Sequence, residues 1–185
     1  MLKLPIPEEI YQIAQQRADE MPVLNGSHRG KAGNEVGCLG EIIIEGLLRV
    51  LEVPFEFEGA TSHDLRVGTE TWEVKTKDRT VVPMGFYDCS VPLYNHEHQN
   101  VDRYVFVSLL RRGKESMGVR RFPTAFVLGV ASREKVMQKG RVWRAGEVDP
   151  SNGTKFWTDC VNLPIADLDP FMQFADSLAL AAKNS

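Results

Sequence analysis

The sequence predicts one α/β domain with a mixed sheet flanked by helices, and three observations lead there. Two helical segments come first, at residues 7–20 and 34–51, and three short extended segments follow in quick succession. Two apolar runs, RYVFVSLL and TAFVLGVA, then read as strands buried on both faces. A chain of 185 residues with 43% hydrophobic content is long enough for one sizeable core and too short for two. That succession of elements implies helices packed on a sheet, within a single domain spanning residues 1–185.

The segment PEEIYQIAQQRADE opens on Pro7 with two glutamates in its first turn, which suits the positive end of a helix. After the turn-rich NGSHRGKAGNEVG, a second helix is expected from Asn34, a good N-cap, to Leu51, stopped by Pro54. Gly37, Gly40 and Gly46 weaken this helix locally and suggest close packing against a neighbour. PFEFEG, HDLRV and TWEVKTK follow as strands, the last two joined by a Gly68-Thr69 turn. A short helical turn near residues 92–99 leads into RYVFVSLL and TAFVLGVA. SREKVMQKG reads as a helix capped by Ser132 and ended by Gly140. A strand at KFWTDCVNL and a helix from Asp169 or Pro170 to Ala182 complete the chain.

Composition narrows the function. No apolar run approaches the roughly 20 residues of a membrane span, so no membrane partner is expected. The opening MLKLPIPEEIYQ lacks the basic and apolar regions of a signal peptide, and a cytoplasmic location follows as the expectation. Cys38, Cys89 and Cys160 are odd in number and widely spaced, so they read as buried thiols rather than disulfides or a zinc site. The net charge of −3 hides an asymmetry: residues 103–144 hold 11 basic and 2 acidic side chains. Arg111, Arg112, Lys114, Arg120 and Arg121 cluster at a hairpin within that block, and Arg133, Lys135, Lys139, Arg141 and Arg144 follow. Such a run is often a solvated surface, but in an acidic protein it points to a polyanion-facing one.

The hairpin HDLRVGTETWEVK carries the chemistry. Counting outward from Gly68-Thr69, Val67 pairs with Glu70, Leu65 with Trp72, Asp64 with Glu73 and Ser62 with Lys75. Two carboxylates facing each other repel unless a positive group sits between them, and Lys75 shares a face with Glu73. A divalent cation satisfies that arrangement, and hard oxygen donors suit Mg²⁺. The plainer alternative is a surface hairpin of mutually paired charges. Glu41 lies at helical spacing with Gly37, Ile44 and Leu48, on an otherwise buried face, and needs a partner there. That partner is either a metal site or one of Arg66 and Lys75; Glu45, one turn on, is a second candidate for the same role.

These motifs resemble the PD-(D/E)XK nuclease superfamily over residues 33–131: a Gly-Glu on the first core helix (GCLGEIIIEGLL), an Asp opening the second strand (SHDLRV), the E-x-K of the third (Glu73 to Lys75) and the later buried strand VDRYVFVSLL. The resemblance implies a restriction-endonuclease-like αβββαβ core and metal-dependent cleavage of DNA. It implies that Asp64 and Glu73 bind Mg²⁺, or Mn²⁺ in its place, with the backbone carbonyl of Val74. Lys75 would position the attacking water, and Glu41 would complete the metal site directly or through water. His63 stands where the motif name has proline, and the Asp-to-Glu separation is short. Lys77 and Arg79 extend from the same strand toward flanking phosphates, and the tryptophans 72, 143 and 157 are candidates for stacking on bases. Cutting both strands generally calls for two active sites, which a homodimer would supply, although no interface is identifiable in the sequence. A non-catalytic nucleic-acid-binding module with the same fold is the rival reading. GSHRGKAG lacks the spacing of a phosphate-binding P-loop, and His96 with His98 lacks a third metal ligand.

Overall fold

The computed structural model describes residues 1–22, 30–58, 63–113 and 118–183. The chain begins with β1 (Leu2–Pro5), an edge strand with alternating half-buried and exposed residues, followed by α1 (Glu8–Glu20) and α2 (Gly30–Val50). Next come β2 (Glu56–Phe57), β3 (Leu65–Val67) and the long β4 (Glu70–Arg79). The return passes through β5 (Asp88–Pro92) and α3 (Leu93–His98) to β6 (Arg103–Leu110) and β7 (Thr124–Ser132). After α4 (Arg133–Lys139), β8 (Arg141–Trp143), β9 (Cys160–Pro164) and α5 (Phe171–Lys183) end the described chain.

These strands form a mixed six-stranded sheet ordered β1-β7-β6-β4-β3-β2 and a three-stranded sheet ordered β5-β9-β8. In the larger sheet β4 and β6 run parallel while every other pairing is antiparallel. A parallel pair cannot be joined by a tight turn, so the chain must leave the sheet after Arg79, and β5 and α3 are that detour. Burial follows from the resulting layers. One core packs α1, α2 and α5 against a face of the sheet through Leu39, Ile44, Leu48, Trp72, Val105 and Phe171. The other packs β5, β9 and α4 against the opposite face through Tyr104, Phe106, Phe126, Val136 and Leu163. Alternate residues of β6 feed different cores, which is why this strand reads as an unbroken apolar run.

The α2–β4 contact depends on a glycine. A Cβ on Gly40 would lie 1.9 Å from Thr76 Oγ1 and 2.9 Å from Thr76 Cβ, so no side chain fits between helix and strand. Several expectations are corrected. Helix α2 starts at Gly30 rather than Asn34, and the Asn34 side chain instead donates to the carbonyls of Met21 and Pro22, tying the end of α1 to α2. It ends before Pro54, where Glu52 takes a left-handed conformation with φ of 56°. Strand β9 lies C-terminal to the start of the segment expected to form it, and β1, β5 and β8 were not foreseen. The helix after Ser132 forms as expected, with the Ser132 hydroxyl accepting from the Lys135 N–H. All three cysteines are buried free thiols.

Candidate active site

Strand β4, helix α2 and the residue preceding β3 bring Glu41, Asp64, Glu73 and Lys75 to one region. The turn at Gly68-Thr69 forms as read, with Val67 opposite Glu70 and Leu65 opposite Trp72. The ladder stops there. Asp64 donates its N–H to the Trp72 carbonyl at 3.0 Å, so Asp64 and Leu65 share one partner and Asp64 does not stand opposite Glu73. Its carboxylate turns along β4 and accepts the Val74 N–H at 2.7 Å. Burial first, then the charges of Glu41 and Glu73, hold the Asp64 carboxyl well above its ordinary value, against the opposing pull of the Val74 N–H and Lys75. Ser62, expected opposite Lys75, lies outside the described residues.

Glu73 is 6% exposed. Its Oε1 accepts from Lys75 Nζ at 2.7 Å, while its Oε2 is buried with no hydrogen-bond partner. The two residues alternate onto one face of β4 as a strand requires. An unpartnered carboxylate oxygen in the interior is costly, and it marks a place where a positive ligand would be welcome. Val74 between them points into the helix-side core.

Glu41 comes from α2. Its partner is Arg17 of α1, at 3.6 Å, and neither Arg66 nor Lys75: Arg66 pairs with Glu58 at 2.7 Å and Lys75 with Glu73. Burial raises the Glu41 pKa, Arg17 opposes that, and Glu73 and Glu45 push it further up. Arg17 also binds Glu45 at 2.5 Å and lies 4.0 Å over the Phe57 ring, so one guanidinium links α1, α2 and β2. Sequence reading missed Arg17. A signal was present: it directly precedes Ala18, which shares the buried stripe of α1 with Tyr11 and Ala14. Glu45 is 1% exposed and fully committed to Arg17 and Arg49, which makes it structural. Cys38 lies within reach of the same charges, and burial pushes its thiol up to about 12.

Among the described residues no three His, Cys, Asp or Glu groups converge into a ready-made metal cage. The donors nonetheless suit a hard cation: oxygen atoms of Asp64, Glu73 and Glu41, mutually repelling, with one Glu73 oxygen unpartnered. His96 contacts the Tyr104 hydroxyl and His98 stacks on Tyr94, away from any acidic cluster.

The basic block is largely engaged in ion pairs. Arg111 binds Asp78, Arg120 binds Glu8, and Arg121 is buried against Glu35. Lys135 pairs with Asp169 and Arg144 with Asp159. Arg112 donates its backbone N–H to the Arg121 carbonyl, and Lys114 lies outside the described residues, as do His28 and Arg29. Lys77 and Arg79 lie on β4 beyond Lys75. Arg79 is anchored by the Ser108 hydroxyl and the Asp88 carbonyl. Of the tryptophans, Trp72 and Trp143 are buried and Trp157 is 73% exposed.

Compared with known families, curated proteins and solved structures, the chain has no match.

Proposed function

We propose that this chain is a PD-(D/E)XK-type nuclease that hydrolyses DNA phosphodiester bonds with Mg²⁺ or Mn²⁺. The carrying observation is the pairing of Lys75 with one oxygen of a buried Glu73 whose other oxygen has no partner, beside an Asp64 carboxyl held on the Val74 N–H. The order of elements supports the same reading: α2, the β2-β3-β4 meander, then a detour through β5 and α3 to β6 parallel with β4, the succession an αβββαβ core would have with β5 added.

In this reading Asp64 and Glu73 would hold the cation, with the Val74 carbonyl and Glu41 as further oxygen donors. A bound divalent cation supplies positive charge to the scissile phosphate and a water of lowered pKa. The remaining work belongs to the chain. The Lys75 ammonium, oriented by Glu73, donates to the attacking water or to a phosphate oxygen and offsets charge in the transition state. Water adds to phosphorus as the ester oxygen leaves with a proton, and no covalent enzyme intermediate is required. Arg17 acts as a positioning residue that sets the place of Glu41. A homodimer would present two such sites to two strands.

Among the described residues no three metal-binding side chains converge, which favours one rival, a nucleic-acid-binding module of the same architecture without catalysis. Incubation of the purified protein with supercoiled, linear, single-stranded and branched DNA in Mg²⁺, Mn²⁺ or EDTA separates the two. Metal-dependent cutting that Glu73→Ala and Lys75→Ala both abolish is the expected result. Binding without cutting under every condition would establish the module instead.

A further inference from the structure

Beyond Lys75, β4 forms one wall of a cleft of about 370 Å³, within the size range of roughly 300–1,000 Å³ typical of ligand cavities. Lys75, Lys77 and Arg79 line it at every second position of the strand, and Lys155 and Trp157 line it from the segment between β8 and β9. No carboxylate is among its described lining residues. In a protein of net charge −3 this is a cation-lined, anion-seeking hollow.

The wall carrying Trp157 is built rather than loose. Phe156 stacks on Trp143 with ring centroids 4.6 Å apart, and its backbone N–H and carbonyl bond Glu147 and Gly146. Asp159 accepts from the Arg144 guanidinium and the Ala145 N–H, closing the same segment from its other end. An indole left 73% exposed on so fixed a support is an expensive feature for a surface without a partner. Lys155 Nζ lies over one face of that ring, 5.4 Å from its centre, which places a cation at the indole while most of the ring stays exposed.

Lys77 is the second independent sign. It is open to solvent yet lines the cleft, and its side chain makes no hydrogen bond or ion pair among the described residues. Burial and then the charge of Arg79 lower its pKa, so a bound anion would relieve an existing cost. Arg79 is already oriented by Ser108 and Asp88, and its remaining N–H groups are available.

We propose that this cleft is a subsite for one unpaired nucleotide of a nucleic-acid strand, with its phosphate on Lys77 and Lys155 and its base against Trp157. Resting on the nuclease reading, the strand would continue past Lys75 to the Glu73 and Asp64 carboxylates, giving the enzyme a preference for single-stranded or frayed substrate. A stacked duplex cannot offer a base face to Trp157 without unpairing.

The test is binding of fluorescently labelled short oligo-dT, oligo-rU and a blunt duplex to the full chain in EDTA, followed by anisotropy. Single strands should bind more tightly than the duplex, and the ratio of dT to rU affinity identifies the natural source of the strand. Trp157→Ala should weaken single-strand binding about five- to 150-fold while leaving duplex binding unchanged. Lys77→Ala should lower the slope of log affinity against log salt by about 0.7. Both positions are solvent-accessible, and an unchanged unfolding midpoint in urea checks that each variant folds. Parent-like single-strand binding in both variants overturns the subsite, even if DNA is cut. Loss of binding in Trp157→Ala, in a protein that cuts nothing with any metal, retains the subsite and refutes the nuclease.

Discussion

Gly40 and Gly46 sit in the same helix, yet the structure assigns opposite signs to their replacement by alanine. Each substitution gains about 1 kcal/mol of helix propensity. At Gly46 the new Cβ meets only Ile10 Cδ1 at 3.8 Å, an ordinary contact, so that gain survives. At Gly40 it meets Thr76 Oγ1 at 1.9 Å and Thr76 Cβ and Cγ2 at 2.9 Å. Rotating the Thr76 side chain moves Oγ1 and Cγ2 but not Cβ, which is fixed to the backbone of β4. Restoring an ordinary carbon–carbon separation therefore moves helix from strand by about 0.6–1.1 Å. Overpacking of this kind costs roughly 1–3 kcal/mol, so Gly40→Ala should be less stable than Gly46→Ala by about that amount. The same displacement carries Glu41, the next residue, away from Glu73, and a 1 Å misplacement in a catalytic constellation is worth on the order of 10²-fold in rate. Urea unfolding of the two variants, of Thr76→Ala and of Gly40→Ala/Thr76→Ala measures the first effect, and DNA cleavage the second. The double variant should recover part of the loss. Equal stability of Gly40→Ala and Gly46→Ala, with no rescue by Thr76→Ala, would refute the packing argument.

Two further outcomes follow from the buried charges. Asp64 and Glu41 have folded pKa values above their ordinary 3.8 and 4.5, so above those values the native state holds more protons than the unfolded chain. Metal-free stability should therefore fall as pH rises from that range through the raised folded values, and Mg²⁺, which must displace these protons, should raise the thermal midpoint more at the upper end of that span than at its lower end. A Mg²⁺ effect that is flat or larger at the lower pH would contradict this placement of the carboxyls. Arg121 and Glu35 are 5% and 9% exposed and pair with each other, so Arg121→Ala should cost about 3–5 kcal/mol in urea unfolding by stranding the glutamate. Pairing it with Glu35→Leu should recover much of that loss.

The fold was legible where local signals and burial agree. Gly68 adopts φ of 60°, as the hairpin turn requires, and β6 and β7 are buried along nearly their full length as their composition demands. It was illegible where tertiary contact overrides local preference. The β1 segment LKLP offers a proline and four residues, and it becomes a strand only because β7 has an open edge. Likewise β5 and β8 exist because β9 pairs with both. The start of α2 was misplaced because Asn34 looks like an N-cap, and nothing in the local sequence reveals that its amide is spent on Met21 and Pro22.

The candidate site shows the same division at the scale of single atoms. Period-two counting put Glu73 and Lys75 on one face, and they meet there at 2.7 Å. The same counting placed Asp64 opposite Glu73, and it failed because Asp64 enters β3 one residue out of step, both Asp64 and Leu65 answering to Trp72. That irregularity has a chemical consequence. The offset lets the Asp64 carboxylate take the Val74 N–H and sit fixed while half-buried. Glu41 is held likewise by Arg17, reaching across from the preceding helix α1. Each carboxylate thus has one anchoring donor from the protein, while burial and mutual repulsion keep Asp64 and Glu41 poised toward protonation. Groups so arranged are fixed in place yet electrostatically unsatisfied. That combination is what the proposed cation site would use, exchanging the carboxyl protons for the ion, and the buried Glu73 with its unpartnered oxygen sets the arrangement apart from a fully paired surface hairpin.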